Sequence, residues 1–398
     1  MANVLSPYNP TFYAAEALIV LQSALGIANR VYRGYEAERT SYGLGESVQV
    51  RKPSDFSVET GGTSTTSDPY TTSQTITIDQ WKQVKFALTD KELTQTGSRI
   101  IEEHIQPAAY ALANNVDSAL MSEYVNVPWL FGPNGDPGSA ISDITGPRKI
   151  LADNAGAQVD ADDGNVHMAV TPTFEKNLLE NTIFYQAQTA GGLANQEALL
   201  RGHLGTRYGV EVFRSHNVQQ HASGTVVSAS DQTGALNGAH TIGASTISVD
   251  GLNGTETLKP GDSFVIASDT QRYVVTTLAT LSSGAHATVA IFPNLVAAYA
   301  DDAVVTVAGG TAGENNDAFH GNMMFHRNAF GLVVVPLPEI GDGAGAQMST
   351  VSDDQTGLSI RSRIAYDDDT AKVKVTLDIL YGVKTLEPNL AVRVQENV

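Results

Sequence analysis

The side chains that could carry chemistry are scattered along this chain. Nine histidines occur in 398 residues. His216 and His221, like His320 and His326, stand at spacings that do not place both imidazoles on one helix face, and no HExxH is present, so no zinc site is signalled. The run Asp160 to Asn165, DADDGN, opens like a calcium loop. Its glycine comes one place early and the closing glutamate is missing, so a plain turn is expected. Gly341 to Thr350, GDGAGAQMST, has the glycines of a phosphate loop but no lysine and no clear strand-to-helix transition. The triple acid Asp367 to Asp369 suits a hairpin turn whose carboxylates stay in water. Asn253-Gly254-Thr255 has the form of a glycosylation acceptor, and without a secretion signal it reads as a turn. No acid, base and nucleophile converge, so no catalytic residue, cofactor or metal ligand is assigned, and the chain is not expected to be an enzyme.

Charge is more informative. The formal net charge is −19, which argues against a surface built to grip nucleic acid, because lysine and arginine dominate that binding. Any contact with DNA is expected to be indirect. Against this background Arg51, Lys52, Lys82 and Lys85 put positive charge on one segment, Gly45 to Leu88. Cysteine is absent, which excludes disulfides and thiolate chemistry and fits maturation in a reducing compartment. No apolar run approaches the roughly 18 residues of a membrane span. The N-terminus, MANVLSPYNP, has neither the basic region nor the apolar core of a signal peptide, so neither secretion by that route nor a membrane partner is expected.

The elements follow from periodicity. Phe12 to Val31 predicts a first helix, preceded by an arm held extended by Pro7 and Pro10. In Gly45 to Leu88, Val48, Val50, Phe56 and Val58, then Ile76, Ile78, Val84, Phe86 and Leu88, fall on alternate positions, the period of strands. One long hairpin is expected, with Thr60 to Thr75 as its polar tip. A two-stranded arm of that length is not stable alone in water. Another copy of the chain would cover it, with Arg51, Lys52, Pro69, Tyr70, Lys82 and Lys85 as candidate contacts between subunits.

The longest helical segment is Thr89 to Tyr124. Thr89 and Glu92 form a capping box, and Ile101, Ile105, Ala108, Leu112, Val116, Ala119 and Tyr124 recur at helical steps. Pro107 either kinks this helix or starts a second one. Trp129, Leu130 and Phe131 anchor a Gly/Pro-rich loop, Val127 to Ile141. A helix over Asp143 to Ala155, a buried strand over Val166 to Val170, a helix opened by Thr171-Pro172 and a strand within His203 to Val218 suggest an α/β domain. From Ala222 to Gly313 the runs TVVS, TISV, SFVIA, RYVVTT, ATVAIF and VVTV, separated by turns such as LKPGD, predict a small all-β module. Seven acids and two bases make it acidic. A helix-like segment, His320 to Val335, then resumes the α/β texture. Strands over Leu358 to Val394 close the chain and are expected to lie against the long helix.

This order of parts resembles the major capsid proteins of tailed bacteriophages, the Hong Kong 97 fold. LTDKEL, PAAYALANNVD and LYGVK are similar to segments of short-tailed-phage coat proteins that carry an inserted β-barrel. The resemblance implies an α+β fold with a long spine helix, an extended β-hairpin loop, peripheral and apical domains, and an inserted small all-β domain. On this reading residues 1–44 are the N-terminal arm and helix, 45–88 the extended β-hairpin loop and 89–165 the spine helix and peripheral domain. Residues 166–221 and 314–357 are the apical domain, 222–313 the inserted domain and 358–398 the peripheral-domain strands. It further implies pentamers and hexamers, a separate scaffolding protein and a portal protein, and leaves room for a decoration protein outside the shell. The chain would belong to the virion, and to the host cytoplasm during assembly. The alternatives are an encapsulin-like protein nanocompartment and, from a different class, a secreted glycan-binding or hydrolytic protein bearing a β-barrel module.

Overall fold

Apolar spacing and prolines decide where the helices fall. The structure, a computed structural model, describes residues 10–33, 47–51, 73–89, 91–92, 101–132, 138–155, 164–181, 202, 204–228, 233–252, 257–267, 269–280, 287–307, 318–339, 346–353 and 357–397. The chain divides into two units, Met1–Val116 with Gly331–Leu386, and Asp117–Phe330 with Glu387–Val398.

In the first unit the helix Pro10–Ala24 starts at a proline, where a missing N–H costs nothing. It packs Tyr13, Ala14, Ala17, Leu18 and Leu21 onto the strands Ala346–Asp353 and Leu358–Asp367. Gln22 Nε2 donates to Asp353 Oδ2 at 2.7 Å across the same contact. The capping box is present: Thr89 N donates to Glu92 Oε2 at 2.9 Å and Glu92 N to Thr89 Oγ1 at 3.3 Å. Residues 93–100 lie outside the described set, so the single helix expected from Thr89 onward is seen as two pieces. A π-turn, Ile101–Ile105, runs into the α-helix Gln106–Ser122, which places Pro107 in the first turn, where its ring has no preceding α-turn to break. Ile105, Ala108, Leu112 and Val116 are buried as expected, and beyond them the stripe passes to Leu120 rather than Ala119.

The sheet of this unit has five strands. Lys372–Thr385 pairs with Leu358–Asp367 across a turn at 368–371 and, on its other edge, with Gln80–Thr89, in register Val84↔Leu377 and Leu88↔Val373. Ala346–Asp353 and Phe330–Val335 complete it. The expected single hairpin is therefore corrected. Ser47–Arg51 pairs with Ser73–Thr77, but the return leg breaks at 78–79 and its second half belongs to the sheet. Gln80–Thr89 has ten residues of alternating exposure, and a one-sided strand of that length gains more by joining a broad sheet than by extending a ribbon. Val48, Ile76 and Ile78 at the base of the short ribbon pack with Val333, Val335 and Leu386. Gly382 permits a close approach there, since a Cβ on it would stand 2.2 Å from the Thr77 carbonyl oxygen.

The second unit holds a seven-stranded sheet. Its order is Leu130–Phe131, Ala391–Asn397, Ala318–His326, Val166–Val170, Val210–Arg214, Thr206–Arg207, with Gln220–Ala222 also paired to Ala318–His326. The helix Ser142–Ala155 packs on its final strand, and Thr171 caps the helix Pro172–Glu180 by accepting from Phe174 N at 3.2 Å. Two expectations change here. His320 to Val335 forms the strands Ala318–His326 and Phe330–Val335 instead of a helix, because its apolar stretches, Met323 to Phe325 and Ala329 to Val335, are buried on both faces and carry no period to distinguish the two. Ala391–Asn397 joins this sheet and not the one formed by the other closing strands, and its residues 391–396 are all buried.

After Ala222 the chain leaves the sheet and returns at Ala318, which is paired with Ala222. Between them six antiparallel strands close a barrel: Thr233–Leu236, Thr246–Asp250, Ala287–Phe292, Arg272–Val275, Ser263–Ile266, Val304–Val307 and back to the first. Leu236, Ile247, Val249, Phe264, Ile266, Tyr273, Val289 and Val305 fill it, the inward half of each alternation. TVVS is not one of its strands. Thr225–Ser228 is a single helical turn, fixed at its start by Thr257 N donating to Thr225 Oγ1 at 2.8 Å.

A pH-sensitive contact lies on the barrel. Tyr299 Oη donates to Asp269 Oδ2 at 2.6 Å, and this bond holds the carboxyl below its usual 3.8 although partial burial opposes it. A depressed carboxyl stabilises the fold above its unfolded pKa and loses that contribution as pH falls through the folded value. The carboxyl is open to solvent screening, so the contribution is at most about 1 kcal/mol. Tyr299→Phe should lower the melting temperature by a constant few degrees from neutral pH to about 4.5, and the gap should close toward pH 2. A gap of equal width at all pH values would assign the loss to packing.

Candidate functional site

Of the expected contact residues, Lys52, Pro69 and Tyr70 lie outside the described set. Arg51 ends its strand opposite Ser73. Lys82 and Lys85 sit opposite Ile379 and Thr376 on the edge strand Gln80–Thr89. Strand alternation sends them to opposite faces, Lys85 to the exposed one with Trp81 and Gln83. A single basic face containing both lysines is not formed.

Three buried polar arrays were not foreseen. In the first, Tyr124 Oη lies 3.1 Å from His221 Nδ1, and His221 Nε2 lies 3.0 Å from Asp262 Oδ1. Asp262 Oδ2 accepts from Lys259 N at 2.7 Å and Gly224 N at 3.0 Å. Arg393, fully buried, donates from Nη1 to Gly261 O at 2.6 Å. Hydroxyl, imidazole and carboxylate in line are the groups of a nucleophilic relay. The side chains of His221 and Asp262 are 3% and 1% exposed, however, so no substrate reaches them. Burial raises the Tyr124 hydroxyl further from ionisation and pulls the Arg393 guanidinium down to about 10. The array positions structure: it grips the Lys259–Asp262 turn of the barrel from the strand Gln220–Ala222, the final strand and the segment after the long helix. Gly261 has φ +98, and a Cβ on it would stand 2.9 Å from the His221 ring, so only glycine fits the turn.

In the second array, Thr171 N donates to Asn322 Oδ1 at 2.7 Å, Asn322 Nδ2 donates to Glu396 Oε2 at 2.8 Å, and the Thr171 hydroxyl donates to the same carboxylate. It ties the start of a helix to two neighbouring strands. The third lies in the first unit, where Arg361 meets Asp378 through Nε at 3.1 Å and Nη2 at 2.6 Å, with Arg363 Nη2 at 3.3 Å from the same carboxylate. Trp81 Nε1 donates to Asp378 Oδ2 at 3.3 Å, and Arg361 Nη1 to Pro338 O at 2.8 Å. Among the described residues no group of three or more His, Asp or Glu is placed to hold a metal ion. The glycines of Gly341 to Thr350 lie outside the described set, and its end, from Ala346, is strand.

No protein-family model matches this sequence, and no curated protein does. Solved structures do. The chain is similar to a structure from Mycobacterium phage Che8, at 14% identity and a TM-score of 0.51, over 93% of this chain and 90% of that one. It also matches the capsid of Ralstonia phage GP4, at 11% identity and 0.46 over 93% and 87% of the two chains. The capsid structure of cyanophage P-SCSP1u matches at 14% and 0.43 over 89% and 85%. The likeness to the Che8 structure shows a shared fold, mixed α+β, that runs through nearly the whole chain.

Proposed function

We propose that this chain is the major capsid protein of a tailed bacteriophage, a subunit that self-assembles into the icosahedral head shell around double-stranded DNA. The observation that carries the reading is the fold shared with the Che8 phage structure across 93% of the chain. The fold is then the Hong Kong 97 arrangement. The helix ending at Ser122 is the spine, the ribbon begun by Ser47–Arg51 and Ser73–Thr77 is the root of the extended loop, and the barrel is a domain inserted in the apical sheet. The buried arrays support a structural role, because the one with the groups of a catalytic relay is closed to solvent and fixes the barrel's position. The net charge of −19 suits an inner wall that does not hold packaged DNA.

Arg51, Lys52, Pro69 and Tyr70 act on a neighbouring subunit through the extended loop, and Lys82 and Lys85 act from the sheet's edge strand. The partners are other copies in pentamers and hexamers, a scaffolding protein, a portal and, outside the shell, a decoration protein. Assembly takes place in the host cytoplasm. The test is electron microscopy with sedimentation on the chain expressed alone and with the genes beside its own. Closed uniform shells, alone or only with a scaffold, are expected. A monomer under every condition overturns the reading.

A further inference from the structure

The hairpin Thr206–Arg214 carries an aromatic residue where its turn chemistry disfavours one. Arg207 pairs with Val210 and Thr206 with Glu211, which leaves Tyr208 and Gly209 as a two-residue turn. Their φ values, +52 and +75, are the signature of a type I′ turn, whose first position belongs to asparagine, aspartate or glycine. Among the described residues the other non-glycine positions with positive φ are Ala267, Asp302 and Ala371, all small or polar. A bulky residue there is a genuine outlier, and such strain persists where the side chain has a use. The Tyr208 ring is not buried to compensate, being 42% exposed.

Two arginines flank it. Arg148, from the helix Ser142–Ala155, donates from Nη1 to the Tyr208 carbonyl, and Arg207 donates from Nε to Leu204 O at 3.0 Å. Lys149 is next along that helix, in an exposed pair with Asp153 at 3.0 Å. The nearby Glu211 carboxylate bonds His167 Nδ1 at 2.7 Å. The strand Thr206–Arg207 is at the end of the sheet's order, so this tip stands at an edge. Tyrosine and arginine together are the residues in which interface binding energy concentrates.

We propose that this hairpin docks on an acidic surface of a second copy of the chain, with Tyr208 as the central contact and Arg148 and Arg207 setting its orientation. The inference rests on the capsid reading and names one of its contact residues. A second copy fits the chemistry because the chain carries 43 acids against 24 lysines and arginines, so any neighbouring copy offers acid, while DNA phosphates meet an acidic protein.

Tyr208→Gly in the full chain separates function from folding, because glycine suits the turn better than tyrosine does. The variant should melt at or above the wild-type temperature. Its concentration for half-assembly, read by sedimentation with whatever scaffold the wild type needs, should rise about tenfold or more. Tyr208→Asn should behave alike, and Arg207→Gln should weaken assembly and flatten its salt dependence. Shells of Tyr208→Gly at wild-type concentrations overturn this inference and leave the capsid reading intact. A wild type that never assembles overturns both. Loss of binding to a short DNA duplex with assembly unchanged would make the partner a nucleic acid and would also overturn the inference.

Discussion

Asp262→Ala is expected to destabilise the unit that contains the barrel by about 3–5 kcal/mol, the usual result of removing one member of a buried charged array. The carboxylate accepts from His221 and from the amides of Gly224 and Lys259, so its loss strands three donors at once. It also removes an anion that offsets the buried Arg393. The chain has two tryptophans, and Trp129 lies in the same unit as Asp262. Urea unfolding followed by Trp129 fluorescence in a Trp81→Phe background reads that unit alone. Asp262→Asn keeps an oxygen for the two amides and should lose less. An alanine variant within about 1 kcal/mol of wild type would mean that water replaces the carboxylate and that the turn is held by packing.

Asp378→Ala should cost the first unit a similar amount, about 3–5 kcal/mol, because Arg361 is then left buried without its bidentate partner. Trp81 reports directly, since its indole N–H donates to the same carboxylate. Its emission should shift when Asp378 is removed even where the fold survives. Removing both charges together, as Arg361→Met with Asp378→Leu, should recover most of the loss, because a desolvated ion pair is often no more stable than an apolar pair of similar volume. If the double variant is as unstable as the single one, the contacts to Pro338 O and Trp81, and not the charge pair, hold this part of the sheet.

The sequence disclosed elements whose burial is one-sided. Thr89 and Glu92, the helix after Pro107, Thr171 with Pro172 and most barrel strands follow from local period and local capping, while Val166–Val170, buried on both faces, was legible from its short apolar run. A longer segment buried on both faces, His320 to Val335, was misread, since alternation disappears when both sides are buried. Pairing was less legible still. Nothing near Gln80 reveals that Tyr381 is its partner across the sheet. The arrays were invisible for the same reason: Tyr124 and His221 are 97 positions apart, and His221 and Asp262 are 41 apart. The residue types gave a faint trace, a lone aspartate closing a Lys-Pro-Gly-Asp turn between apolar strands. Lys82 and Lys85 show the limit on the contact residues. Their charge was readable, but the sheet that fixes which way each points was not.

The pairing of Ala222 with Ala318 puts the exit and the re-entry of the barrel segment on adjacent strands, where opposed Cα atoms are about 5 Å apart. A stretch of chain whose ends meet that closely behaves like a cartridge. Any foreign domain with adjacent termini could be spliced at the same two alanines without redrawing the sheet beneath, provided that it brought a Gly-Asp turn of its own to engage His221 and Arg393. The same junction lets the barrel's sequence change without moving the two strands that flank it. It makes the barrel the natural place to display a peptide or an enzyme on every copy of the chain.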